Sequence, residues 1–102
     1  MSDRELLEDA AKAAGIKHMG WVPAGLTFAH CGPWNPLADD GDAFRLMVKL
    51  RLQPRQGINL VSVLHPDFKR NDENYRDHNN DPLAATRRAI VRAAAEIGRQ
   101  MP

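Results

Sequence analysis

Cysteine is nearly absent from the chain. Cys31 is its one thiol in 102 residues, which excludes an intrachain disulfide and any metal site built from several thiolates of one chain. A reducing compartment is the expectation. Net charge is also close to nil: fourteen basic residues face thirteen acidic ones, leaving +1, so no global field draws the molecule to nucleic acid or to a membrane surface. Any basic surface must be local. No apolar run approaches the roughly 20 residues that span a bilayer, and Met1-Ser2-Asp3-Arg4-Glu5 reads as the start of a helix rather than a signal peptide. Internal repeats are lacking too. What is present is ordinary globular usage, 43% hydrophobic and 26% charged, in a length that suits one domain over residues 1–102.

Ser2 with Glu5 three residues on forms a capping box, and residues 3–14 place Leu6, Leu7, Ala10, Ala13 and Ala14 on one face of a first helix. Gly15 suits the left-handed position that ends it, with Ile16 behind to close the motif. Residues 17–22 and 26–31 flank the turn Pro23-Ala24-Gly25 and read as a β-hairpin. The two prolines of Gly32-Pro33-Trp34-Asn35-Pro36-Leu37 then make a stiff loop. Asp39 or Asp40 caps a second helix that runs to about Leu52. Only Arg45 and Lys49 define a polar sector on it, so the helix is expected to be largely buried. Pro54-Arg55-Gln56-Gly57 reads as its break, and residues 58–64 as a central strand. Residues 65–80 are polar; 73–75 could form a short edge strand, otherwise the stretch is loop. Asp81 caps a third helix with Pro82 in its first turn, running to Ile97 before Gly98, with Leu83, Thr86, Ile90, Ala93, Ala94 and Ile97 on its core face. The order α-β-β-α-β-(β)-α gives the fold class α+β: a small antiparallel or mixed sheet of three to four strands packed with three helices.

The stretches Met1-Ser2-Asp3-Arg4-Glu5-Leu6-Leu7, Trp34-Asn35-Pro36-Leu37-Ala38-Asp39-Asp40-Gly41-Asp42-Ala43-Phe44-Arg45-Leu46 and Ala84-Ala85-Thr86-Arg87-Arg88-Ala89-Ile90-Val91-Arg92-Ala93-Ala94-Ala95-Glu96-Ile97-Gly98 together resemble the phage ABA-sandwich domain family, small proteins of tailed bacteriophages and prophages. The resemblance spans nearly the whole chain and brings no catalytic residues with it. It implies an accessory protein in the cytoplasm of an infected bacterium. Such proteins modulate host systems, defence among them, by occupying a host protein or sequestering a small ligand.

The residues themselves nominate several sites. Asp39, Asp40 and Asp42 around Gly41 could hold a hard cation, although acidic residues at a helix start also serve as cap and dipole partners. His18, His30, His65 and His78 show no ligand spacing and read as surface histidines; adjacent His30 and Cys31 would point to opposite faces of a strand. No enzyme, metal or cofactor is expected from such a set. Trp34 and Asn35 join a large apolar group and a polar fork on a rigid backbone, which suits either a recognition loop or an indole buried under a stiff segment. Arg88, Arg92 and Arg99 share a polar sector with Glu96, either a solvated face or a stripe that tracks phosphates, so a nucleic-acid-binding regulator is the alternative function. On a solvated face, Arg88→Ala and Arg92→Ala should change stability by no more than roughly 0.5 kcal/mol. Arg87 falls inside the apolar arc and should pair with a carboxylate of the Asp39, Asp40 and Asp42 group. A homodimer through an uncovered sheet edge or through the second helix would suit the apolar surplus there.

Overall fold

A computed structural model describes residues 2–16, 20–22, 25–27 and 34–101, with backbone alone for 20–22 and 25–27. The first helix, α1 (Asp3–Ala13), starts at the expected capping box: the Ser2 hydroxyl accepts from Glu5 N, and the Glu5 carboxylate reaches back to Ser2 N. It ends as its sequence dictates. Gly15 has φ +72°, Ile16 N donates to Ala11 O at 2.9 Å and Gly15 N to Lys12 O at 3.1 Å, the paired bonds of a Schellman close.

Strands β1 (Gly20–Val22) and β2 (Gly25–Thr27) pair antiparallel, with Val22 opposite Gly25. The hairpin is there, and Gly25 belongs to its second strand rather than to the turn. The rest of the expected hairpin, with His18, His30 and Cys31, lies outside the described residues.

The second helix, α2 (Asp40–Leu50), begins at Asp39, whose carboxylate accepts from Asp42 N at 2.8 Å. It stops short of Leu52 because Arg51 turns left-handed at φ 57°. Leu52 N then donates to Met47 O at 3.0 Å and Arg51 N to Val48 O at 3.3 Å, so the same closing motif recurs with arginine where glycine is usual. Burial of α2 also differs from expectation. Ala43 and Leu46 are buried, whereas Phe44 is 62% and Val48 57% exposed.

A three-stranded antiparallel sheet follows in the order β3-β4-β5, from Gln53–Gln56, Leu60–Leu64 and Arg70–Asn74. The segment read as a helix break is therefore a strand. β3 and β4 are joined through Gly57, Ile58, Asn59 and Leu60, with Gly57 N donating to Leu60 O at 2.7 Å. Hydrogen-bonded pairs alternate from there, which turns the backbone nitrogen of Pro54 away from β4. A proline is tolerated in an edge strand at such a position. β4 is central, as expected, but starts at Leu60, and Val61 and Val63 alone are fully buried along it. β5 places an edge strand in the polar stretch, earlier than expected, and a single 3-10 turn (Tyr75–His78) carries the chain toward the last helix.

That helix, α3 (Pro82–Arg99), starts as expected with the Asp81 side chain accepting from Leu83 N and Pro82 in the first turn. Gly98 does not end it. A Cβ there would sit 1.9 Å from Asp9 O of α1, so this glycine allows the two helices to touch backbone to backbone. The buried face of α3 is mostly alanine: Ala85, Ala89, Ala93, Ala94 and Ala95, with Ile90 and Val91. Small side chains let α1, α2, β4 and β5 all pack on this one helix. Leu83, expected in the core, is 59% exposed.

Candidate functional site

The loop before α2 is built to hold its own shape. Trp34 is buried in the core and Pro36 is fully buried. Asn35 organises the turn: its Oδ1 accepts from Leu37 N at 3.1 Å, and its carbonyl accepts from Ala38 N and Asp39 N. Asn35 N in turn donates to Asp42 Oδ2 at 3.0 Å, while Asp42 Oδ1 accepts from Arg45 Nη2 at 2.7 Å. Of the two readings offered for Trp34, burial selects the indole packed under a stiff segment, and Asn35 frames the turn beside it. The aspartates are likewise in use as cap, loop tie and ion-pair partners. Among the described residues no group of three or more His, Cys, Asp or Glu is placed to hold a metal ion.

Arg87 does what its position on the helical wheel demands. Its Nη1 donates to Asp40 Oδ1 at 2.7 Å and its Nε to Leu37 O at 2.9 Å. Its side chain is 18% exposed against 67% for Asp40, so the pair sits at the surface end of a buried stem. One side chain thereby ties α3 to both the loop and the start of α2.

The remaining arginines of α3 are engaged as well. Arg88 Nη1 donates to Asp3 Oδ1 at 2.8 Å. Arg92 Nη1 donates to Asp72 O at 3.1 Å and pairs with Glu73 Oε2, while His78 Nε2 donates to Glu73 Oε1 at 2.8 Å. Glu73 is only 11% exposed at its side chain. Arg92 is therefore a fastener between α3 and β5, not one of a row of solvated cations. His65, expected at the surface, is buried against Asn71 Oδ1, with Glu96 Oε2 3.7 Å from its Nε2. The sequence concealed these contacts because the alternation that puts Asn71 and Glu73 on the inner face of β5 involves polar residues alone.

Between α2, α3 and β3 lies an apolar groove of about 280 Å³. Ala43, Met47 and Ile90 form its floor, Phe44, Leu83 and Pro54 its rim, and the Arg87–Asp40 pair one end. Thr86 also lines it, with a buried hydroxyl that has no hydrogen-bond partner among the described residues. A wider groove of about 740 Å³, at the 3-10 turn, is lined mainly by polar turn residues such as Asn59, Asn80 and Arg76. The wider groove has the exposed Ile58 in its lining, whereas the groove beside α2 brings two large exposed apolar side chains, Phe44 and Leu83, to one concavity.

Comparison with known proteins returned no matching family model, no matching characterised protein and no matching solved structure. Among the described residues no helix is long and apolar enough to cross a membrane.

Proposed function

We propose that this is a non-enzymatic binding protein, a phage accessory protein that acts in the cytoplasm of an infected bacterium by occupying a host protein, with host defence as one target class. The observation that carries a binding role is the groove between α2 and α3, where Phe44 and Leu83 stand mostly in water beside an apolar floor. Isolated apolar residues at a surface are ordinary, but several large ones around one concavity mark an interaction site. A protein partner that inserts an apolar side chain removes that surface from water at roughly 25 cal/mol per Å². Nucleic acid is the weaker reading, because Arg87, Arg88 and Arg92 already neutralise Asp40, Asp3 and Glu73.

The test is capture from extracts of host cells at about 0.15 M and about 1 M salt, where surface electrostatics are screened to within roughly 3 Å. Apolar docking should survive the higher salt, fail with Leu83→Asp and persist with Arg88→Ala. Binding that collapses with salt and with Arg88→Ala would replace this reading with the nucleic-acid one.

A further inference from the structure

The cleft of about 740 Å³ lies where the turn between β3 and β4 meets the end of β5 and the 3-10 turn. Asn59, Asn74 and Asn80 reach it from three separate segments, together with Tyr75, Arg76 and the exposed Ile58. Neither the three asparagine amides nor the Arg76 guanidinium makes a hydrogen bond or ion pair with a described residue. The walls are held by other bonds: Tyr75 N donates to Asn59 O at 3.0 Å, Asn80 N to Tyr75 O at 2.9 Å, and the Tyr75 hydroxyl to Gly57 O at 3.1 Å. The amides thus stand on a frame that does not need them. Asn79 and Asn80 are both left-handed, at φ 55° and 58°. Glycine would take either position with less strain, so what a side chain adds at Asn80 is an amide lining the cleft.

Charge separates this cleft from the other polar one. The cleft of about 470 Å³ between α3 and β5 sets Arg88, Arg92 and Arg99 against Glu73 and Glu96, with Arg92 spent on Glu73. The lining at the 3-10 turn holds a cation and no carboxylate, and the carboxylate of neighbouring Asp81 accepts from Leu83 N. An asparagine amide donates and accepts in one plane, which matches the edge of a nucleobase, adenine above all. Tyrosine and isoleucine side chains suit the faces of a flat base, and an unspent guanidinium suits phosphate. A neutral sugar would use the amides and leave Arg76 idle.

We propose that this cleft binds an adenine nucleotide, with the base edge on the asparagine amides and the phosphate on Arg76. Such a site is separate from the groove beside α2 and adds a small-molecule ligand to the docking role given above.

Calorimetric titration of the full chain with adenosine monophosphate should give a dissociation constant of about 10–100 µM, as suits an open cleft with few polar contacts. Adenosine, which lacks the phosphate, and ribose 5-phosphate, which lacks the base, should each bind about 10-fold more weakly. Arg76→Ala should weaken adenosine monophosphate about 10-fold and leave adenosine unchanged. Asn80→Gly, which keeps the left-handed backbone, should weaken it about 5-fold without lowering the melting temperature. Tyr75 is the single tyrosine of the chain, so its ring protons in a nuclear magnetic resonance titration report on the cleft and should shift as adenosine monophosphate is added. Absence of both heat and a Tyr75 shift at about 1 mM, well above the expected constant, would overturn the site. So would ribose 5-phosphate binding as tightly as adenosine monophosphate, or affinity indifferent to both Arg76→Ala and Asn80→Gly. A Tyr75 shift with maltose and none with adenosine monophosphate would replace the nucleotide by a neutral sugar.

Discussion

Arginine is used in this molecule as a fastener, and the strength of each fastening follows from how deeply its partner is buried. Arg92 holds Glu73, which is 11% exposed and also accepts from His78, so Arg92→Ala would strand a carboxylate with little water to replace its partner. A loss of about 2–3 kcal/mol is expected. Arg87 holds an aspartate open to solvent and one loop carbonyl; Arg87→Ala should cost about 1–2 kcal/mol, and lysine should restore only part because it lacks the two-pronged geometry. Arg88 with Asp3 is a surface pair worth at most about 1 kcal/mol. Urea denaturation of the three alanine variants checks the order Arg92, Arg87, Arg88; a loss at Arg92 no larger than at Arg88 would show that the Glu73 network does not hold. A second expectation concerns Arg51, left-handed at φ 57°. Arg51→Gly removes the Cβ clash and should stabilise the fold by about 0.5–1 kcal/mol, read as a higher urea midpoint at a concentration where the protein is monomeric.

Local rules made the helices legible because each start and stop lies within a few neighbouring residues: Ser2 with Glu5, Asp39, and Asp81 with Pro82 as starts, Gly15 as a stop. The failures are those in which long-range packing overrode a local signal. Gly98 looks like a stop but is a contact point for α1, and Pro54 looks like a break but occupies the outward position of an edge strand. Apolar residues on α2 suggested burial, yet Phe44 and Val48 are left outside, because sequence gives the width of an apolar arc and not how much of it a neighbour covers. Of the site residues, Arg87 was legible as the partner of one of Asp39, Asp40 and Asp42, and packing decides that it is Asp40, while Trp34 and Asn35 frame the loop. Trp34→Ala should accordingly cost about 3–5 kcal/mol as a core truncation. Calorimetry would show this as a lowered melting temperature, whereas a folded variant of near-native stability would return Trp34 to the list of surface anchors.

At the scale of the whole molecule α3 is a shared wall: α1, α2 and the strands β4 and β5 pack directly on it. None of these four elements can leave without exposing part of the alanine face of that helix, so their unfolding should be a single cooperative step. Gly98 offers the sharpest test, since its missing Cβ is what permits the α1 backbone to approach. Gly98→Val forces α1 outward and uncovers Leu6, Leu7, Ala10 and Ala11, all now buried. A loss of about 2–4 kcal/mol follows from overpacking and lost burial, which for about 100 residues lowers the melting temperature by roughly 10–25 °C. Far-ultraviolet circular dichroism reports the helices, and fluorescence in a Trp21→Phe background reports Trp34. If α3 couples the whole, Gly98→Val should lower both midpoints by the same amount. If α1 is instead an independent flap, the dichroism signal should lose amplitude at low temperature while the Trp34 transition stays where it is in the parent, and the single-wall account of this fold would fail.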